Sequence, residues 1–221
     1  MELNEFLDLP FEEAIQNFIT RNPVLETDPE ELRQRYADEH VFGAVYATTQ
    51  NMLEEIQNRI AKGFAEGKST SEIEEEISEA GENFASWYSE VVFRTNMNTA
   101  YTEGQIEQAK KFDDFIVGLE FTTSGDANVR PEHRILEGMR APVDDPIWRI
   151  FKTPLDYNCR CSLVQITRPE AERWNNAFDL SGKLRRFHPK IGFDFTDSTI
   201  LGLVMGESRN HELPSFVMAR V

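Results

Sequence analysis

Apolar side chains recur at helical spacing through most of the first half of the chain. After Pro10, the residues Phe11, Ala14, Ile15, Phe18 and Ile19 form one stripe, which predicts a helix over about 11–19. Thr27-Asp28-Pro29-Glu30-Glu31 supplies an N-cap, a proline for the first turn and carboxylates for the positive end of the helix dipole. A second helix is therefore expected from about Glu30. Leu53, Ile56, Ile60 and Phe64 mark a third, which Gly63 or Gly67 can end. Ser69 followed by Glu72 is a capping-box pattern, and Ile73, Ile77, Ala80 and Phe84 lie on the inner face of the helix it starts. A longer helix follows to about Lys111, carrying Trp87, Tyr88, Val91, Val92 and Tyr101. Near Phe112 the period changes. Residues 115–123 are β-rich and stop at Ser124-Gly125, and residues 161–167 read as a second strand stopped by Pro169. The loop-rich stretch between them holds Pro131, Pro142, Pro146 and Pro154, and a connection that long is functional or needs a local staple. The expected fold class is α+β: a helical region over 1–111, a small α+β module with a short antiparallel sheet over 112–182, and an extended tail over 183–221 with strand-like pieces at 191–195 and 200–205.

Composition narrows the function classes. The 221 residues are 40 % apolar and 11 % aromatic, so the chain can bury a core and wholesale disorder is excluded. No apolar run approaches the roughly 20 residues of a membrane span. The acidic start Met1-Glu2-Leu3-Asn4-Glu5 lacks the basic and apolar regions of a secretory signal, so a reducing cytoplasm is the expected compartment. The net charge of −16 argues against binding duplex DNA by broad phosphate neutralisation. That charge is uneven: residues 1–90 sum to −15 and residues 91–221 to −1. The acidity peaks at Glu72 to Glu79, either a solvated helix face that keeps the protein soluble or a docking surface for a basic partner. The basic run Lys183-Leu184-Arg185-Arg186-Phe187-His188-Pro189-Lys190 is too short to carry nucleic-acid binding alone, though it suits a weak DNA contact or an acidic neighbour.

Two cysteines one residue apart, Cys159 and Cys161, cannot build a disulfide framework and read as thiols or ligands. With His133 they make three of the four donors of a tetrahedral zinc site, of a structural kind. A Cys-x-Cys pair on a strand sends its side chains to opposite faces, so both sulfurs reach one ion only where the backbone bends. The fourth ligand would have to be Asp126, Asp156 or a distant histidine: His40, His188 or His211. The plain alternative is two buried thiols packed beside a hydrogen-bonded histidine. A nucleophilic cysteine with His133 as base, oriented by Asp126 or Asn158, is the catalytic alternative; no spacing supports it. Asp126 and Arg130 suit a bidentate ion pair that holds the loop.

The order of these residues resembles a known family. Asp126, Val129, Arg130, Pro131, His133, Leu136 and Gly138, then Asp145, Pro146 and Trp148, then Pro154, Asn158, Cys159, Arg160 and Cys161 are similar to the core motif of the Mu F-like minor head proteins of tailed bacteriophages, also called head morphogenesis proteins. Arg94, Thr95, Ala100, Tyr101 and Gly104 resemble the family's upstream helical segment, with Asn96 where a glutamate is common. The residues 9–15 resemble the entry to its helical part, and Gly192-Phe193-Asp194-Phe195 an aromatic segment after the core. The resemblance implies a virion protein rather than an enzyme. It would be associated with the portal or inner capsid, would bind portal, major capsid or scaffold proteins, and would serve head morphogenesis and DNA packaging or delivery. Its places would be the phage head and, during assembly, the host cytoplasm. The alternative function is a metal-dependent hydrolase or nuclease built on His133, Cys159 and Cys161.

Overall fold

The computed structural model describes residues 12–81 and 84–189. Residues 9–11, Lys190, the segment Gly192 to Phe195, the strand-like pieces 191–195 and 200–205, and His211 lie outside the described residues. The fold is α+β, as the change of period implied, with eight helices and two small sheets among the described residues. The chain forms two units, 1–104 with 156–159, and 105–155 with 160–221.

The first unit is helical. Helix α1 (Glu12–Ile19) leads to strand β1 (Asn22–Pro23), and helix α2 (Pro29–Asp38) to strand β2 (Val41–Phe42). The two short strands pair in parallel, Asn22 opposite Val41 and Pro23 opposite Phe42. Asp28 caps α2 as expected, its carboxylate accepting from the amides of Glu30 and Glu31. Helix α3 (Gln50–Ala65) and helix α4 (Thr70–Ala80) follow, the latter opened by the full Ser69/Glu72 capping box. Helix α5 (Ser86–Lys111) contributes its residues up to 104. The core holds the stripe residues Leu53, Ile56, Ile60, Ile73 and Ile77 with Phe18, Phe42 and Phe93. A buried polar brace crosses it. Arg21 donates to the Val41 carbonyl (3.0 Å) and the Asn17 side chain (2.8 Å), while Gln57 donates to the carbonyls of Phe18 and Arg21.

Gly67, with φ +69°, closes the third helix; Gly63 lies inside it and has a different task. A Cβ at Gly63 would stand 2.6 Å from Cγ1 of Ile73, a buried and stiff β-branched residue, so the glycine sets how closely α3 and α4 approach. Gly63→Ala is therefore expected to destabilise by about 1–3 kcal/mol from overpacking, outweighing a gain of about 1 kcal/mol in helix propensity. Urea unfolding checks it, and Ile73→Ala combined with Gly63→Ala should cost less than the two changes summed, since it removes the Cγ1 that the new methyl meets.

The second unit contains the three-stranded antiparallel sheet β4-β3-β5, made of β3 (Ile116–Thr122), β4 (Arg140–Ala141) and β5 (Ser162–Thr167). Leu119 sits opposite Ala141 and Gln165, and Phe121 opposite Leu163. Leu119 and Phe121 are fully buried. The loop-rich stretch is shaped by two single-turn helices, α6 (Pro131–Arg134) and α7 (Trp148–Phe151); α8 (Arg168–Ala171) follows β5. Gly118 lets β4 come close, since a Cβ there would lie 2.6 Å from the Ala141 carbonyl oxygen. In the stretch after α8, the Arg140 guanidinium lies 4.0 Å over the Trp174 ring and also faces Phe187. The basic run is engaged within its own unit: Lys183 pairs with Asp144 and Arg186 with Asp145.

Candidate functional site

The Asp-x-x-Val-Arg-Pro-x-His segment forms one turn of helix because Pro131 stands at its first position, where a missing amide costs nothing. That turn buries His133 and points Nδ1 to within 3.7 Å of the Cys161 sulfur. Cys161 immediately precedes β5, whose first residue, Ser162, pairs with Thr122 at the end of β3. The sheet register thus fixes one thiol.

The other thiol is fixed from helix α5. Asn158 adopts φ +55°, a left-handed conformation that asparagine tolerates. Its amide donates to Thr95 Oγ1 at 3.0 Å, and the Asn98 side-chain amide donates to the Cys159 carbonyl at 2.8 Å. The Cys159 amide closes a turn onto Asp156. The Cys-x-Cys pair is therefore not on a strand: it follows a left-handed bend and ends where β5 begins. His133, Cys159 and Cys161 are all buried, neither cysteine is in a disulfide, and their donor atoms lie within 4.8 Å of one another. None of Asp126, Asp156, His40 or His188 joins the group. Two sulfurs and an imidazole nitrogen, dehydrated and held together, are the donor set of a soft or borderline cation such as zinc.

Asp126 takes Arg160 as its partner, not Arg130. The fork is bidentate, with Arg160 Nη2 2.7 Å from Oδ1, because the guanidinium of the Asn-Cys-Arg-Cys stretch is the one that reaches the turn after β3. Asp126 is thus engaged away from the imidazole and does not orient His133 as a base. Hydrogen bonding to Arg160 holds its carboxyl below the usual range. A depressed carboxyl stabilises the fold above its ordinary pKa, and the contribution disappears as pH falls through the folded-state value. Amide exchange at Asn128, whose N–H donates to Asp126 Oδ1 at 2.9 Å, is expected to lose protection over that acidic range. Protection unchanged down to full carboxyl protonation would contradict it.

Much of the remaining motif builds the scaffold. Trp148 donates its indole N–H to the Pro142 carbonyl at 2.7 Å, and Asp145 accepts from the Ile147 amide while pairing with Arg186. Val129 and Leu136 are core residues, and Gly138 takes a positive φ of 76°. Thr95 and Asn98 are the positioning residues that spacing alone does not expose. Their signal is polarity in a buried helix: Thr95, Asn96, Asn98, Thr99 and Thr102 are all buried on α5. Asn98→Ala is expected to leave a buried carbonyl short of a donor, at a cost of about 1–3 kcal/mol. It should also speed modification of Cys159 by a thiol reagent, with Cys161→Ser as the background that isolates the signal.

A family model described as Phage Mu protein F like protein matches residues 54–164, half of the chain, from within α3 to within β5. The Mu-like prophage FluMu F protein of Haemophilus influenzae is 30 % identical over 76 residues, which cover 34 % of this chain and 18 % of that relative. The matched stretch therefore spans less than a fifth of the relative's length. No solved structure matches.

Proposed function

Because the chain belongs to the Phage Mu protein F like family, we propose that it is a minor head protein of a tailed bacteriophage or prophage, working by protein–protein binding in head morphogenesis and in DNA packaging or delivery. The observation that carries this reading is the family match, which takes in the whole 126–161 motif. The partners are portal, major capsid or scaffold proteins at the portal or inner capsid; the chain is in the host cytoplasm during assembly and becomes part of the phage head. Among the described residues no helix is long and apolar enough to cross a membrane. Mass spectrometry of purified particles is expected to detect the chain. Intact, infectious particles that lack it would overturn the reading.

His133, Cys159 and Cys161 in this reading hold one structural zinc, with the fourth position filled from outside the trio. The fit rests on the donor set: two sulfurs and a nitrogen, all buried and within 4.8 Å. A bound ion would add folding energy by tying α6, the Asn158 bend and the start of β5 together. About one zinc per purified chain is expected, with a cobalt-substituted form showing a thiolate charge-transfer band. Both signatures should vanish in Cys159→Ser and in His133→Ala. Metal-free protein whose melting is indifferent to zinc and to chelator would overturn the site.

A further inference from the structure

Two large aromatic side chains of the first unit stand in solvent, each against the same buried ring. Tyr46 is 57 % and Trp87 60 % exposed. Both flank one buried ring, Tyr88: centroids lie 4.5 Å apart for Tyr46 and 5.7 Å for Trp87. Tyr88 is itself wedged against Phe84 at 4.9 Å, and its hydroxyl accepts the Tyr46 amide at 3.0 Å. The exposed pair is thus mounted on the core and loses little freedom when something covers it, a rigid aromatic platform rather than two loose side chains.

The surroundings give the sign of what it takes. Glu90 follows Trp87 by one turn of α5, and Glu74 of α4 lies in its field, with a carboxyl pushed up by burial and then by Glu90. Arg94 pairs with Glu90 and offsets part of this charge. Glu74 and Glu90 against the single Arg94 leave a surplus of one negative charge beside the turn of α5 that carries Trp87. An exposed Trp and Tyr within a negative field attract a cation to the ring face and repel phosphate.

We propose that the Tyr46/Trp87 platform is the docking point for a Lys- or Arg-bearing segment of a partner protein. A cationic side chain lies over the exposed rings while the acidic surface steers the rest of the segment. This deepens the head-protein reading above by naming the chemistry of the partner, and it excludes a nucleic acid as the occupant.

The test uses the full chain and a fluorescent oligo-arginine peptide, with an oligo-glutamate peptide and a DNA duplex as comparisons, followed by anisotropy at physiological salt. The arginine peptide alone should bind. Trp87→Ala and Tyr46→Ala are each expected to weaken it about fivefold, and the two together more than tenfold, a range that cation–π contacts supply. Trp87→Phe should retain most of the binding and shows that the ring, not the fold, is read. Glu31→Gln removes one exposed charge on α2 without altering a ring, and should change affinity less than twofold. The proposal is overturned if the arginine peptide does not bind, if the ring-deleted chain binds as tightly as the wild type, or if the duplex competes for Trp87. Particles that contain the chain while the ring variants bind unchanged would sink this inference and leave the head-protein reading standing. Particles without the chain would do the reverse.

Discussion

Phe42→Ala is expected to cost the first unit about 3–5 kcal/mol, the largest loss among its single truncations. Phe42 is fully buried on β2, packs edge-to-face on Phe18 at 5.6 Å, and sits where the backbone is pinned by the Val24 amide donating to its carbonyl. The cavity cannot fill by collapse, because Arg21 and Gln57 hold the neighbouring carbonyls of Val41, Phe18 and Arg21 in place. Truncation therefore loses both the transfer energy of the ring and the contacts of the cavity walls. Urea unfolding followed by the helical signal should show the transition midpoint falling with little change in slope. Phe42→Leu, which keeps most of the volume, should lose far less. A cost below about 1 kcal/mol for the alanine variant would mean that the site relaxes and that the brace does not hold it open.

The second large effect belongs to Phe121→Ala, again about 3–5 kcal/mol. Phe121 is fully buried at the centre of the sheet, donates its amide to the Met139 carbonyl and accepts from the Gly138 amide. It faces Leu163, two residues beyond Cys161. Its truncation is expected to loosen the strand end that carries Cys161, so stability loss should come with faster alkylation of that thiol in a Cys159→Ser background. Destabilisation without a change in alkylation would separate the sheet from the site, contrary to the register observed here.

The helices were legible because their evidence is local. The Ser69/Glu72 box, the Asp28 cap and the Leu53-Ile56-Ile60 stripe each lie within a few turns of chain, and each forms as the spacing implies. The strands over 116–122 and 162–167 were legible for the same reason. Strand β4 is two residues long and exists only because β3 offers an edge, with Gly118 giving it room, so no period announces it. The β1–β2 pairing is equally short. The Asp126 carboxylate matched two arginines in charge, and only the fold decides that Arg160 reaches it. His133, Cys159 and Cys161 were legible as donors by type; that their atoms meet depends on a left-handed Asn158 and on bonds from α5 that no motif spells out.

Those bonds also set an order of events. Asn98 reaches Cys159 across 61 residues, and Thr95 reaches Asn158 across 63. Helix α5 can form from local contacts as soon as it is made, but the bend it holds has to wait for a long loop to close. On a ribosome making on the order of 10 residues per second, that wait lasts several seconds. During it Asn98 lacks the acceptor and Thr95 the donor that the bend supplies, and once Cys159 and Cys161 emerge they are open thiols until the bend closes. A cell that keeps thiols reduced over that interval favours the correct closure, whereas an oxidising one would trap the pair before the helix captures it.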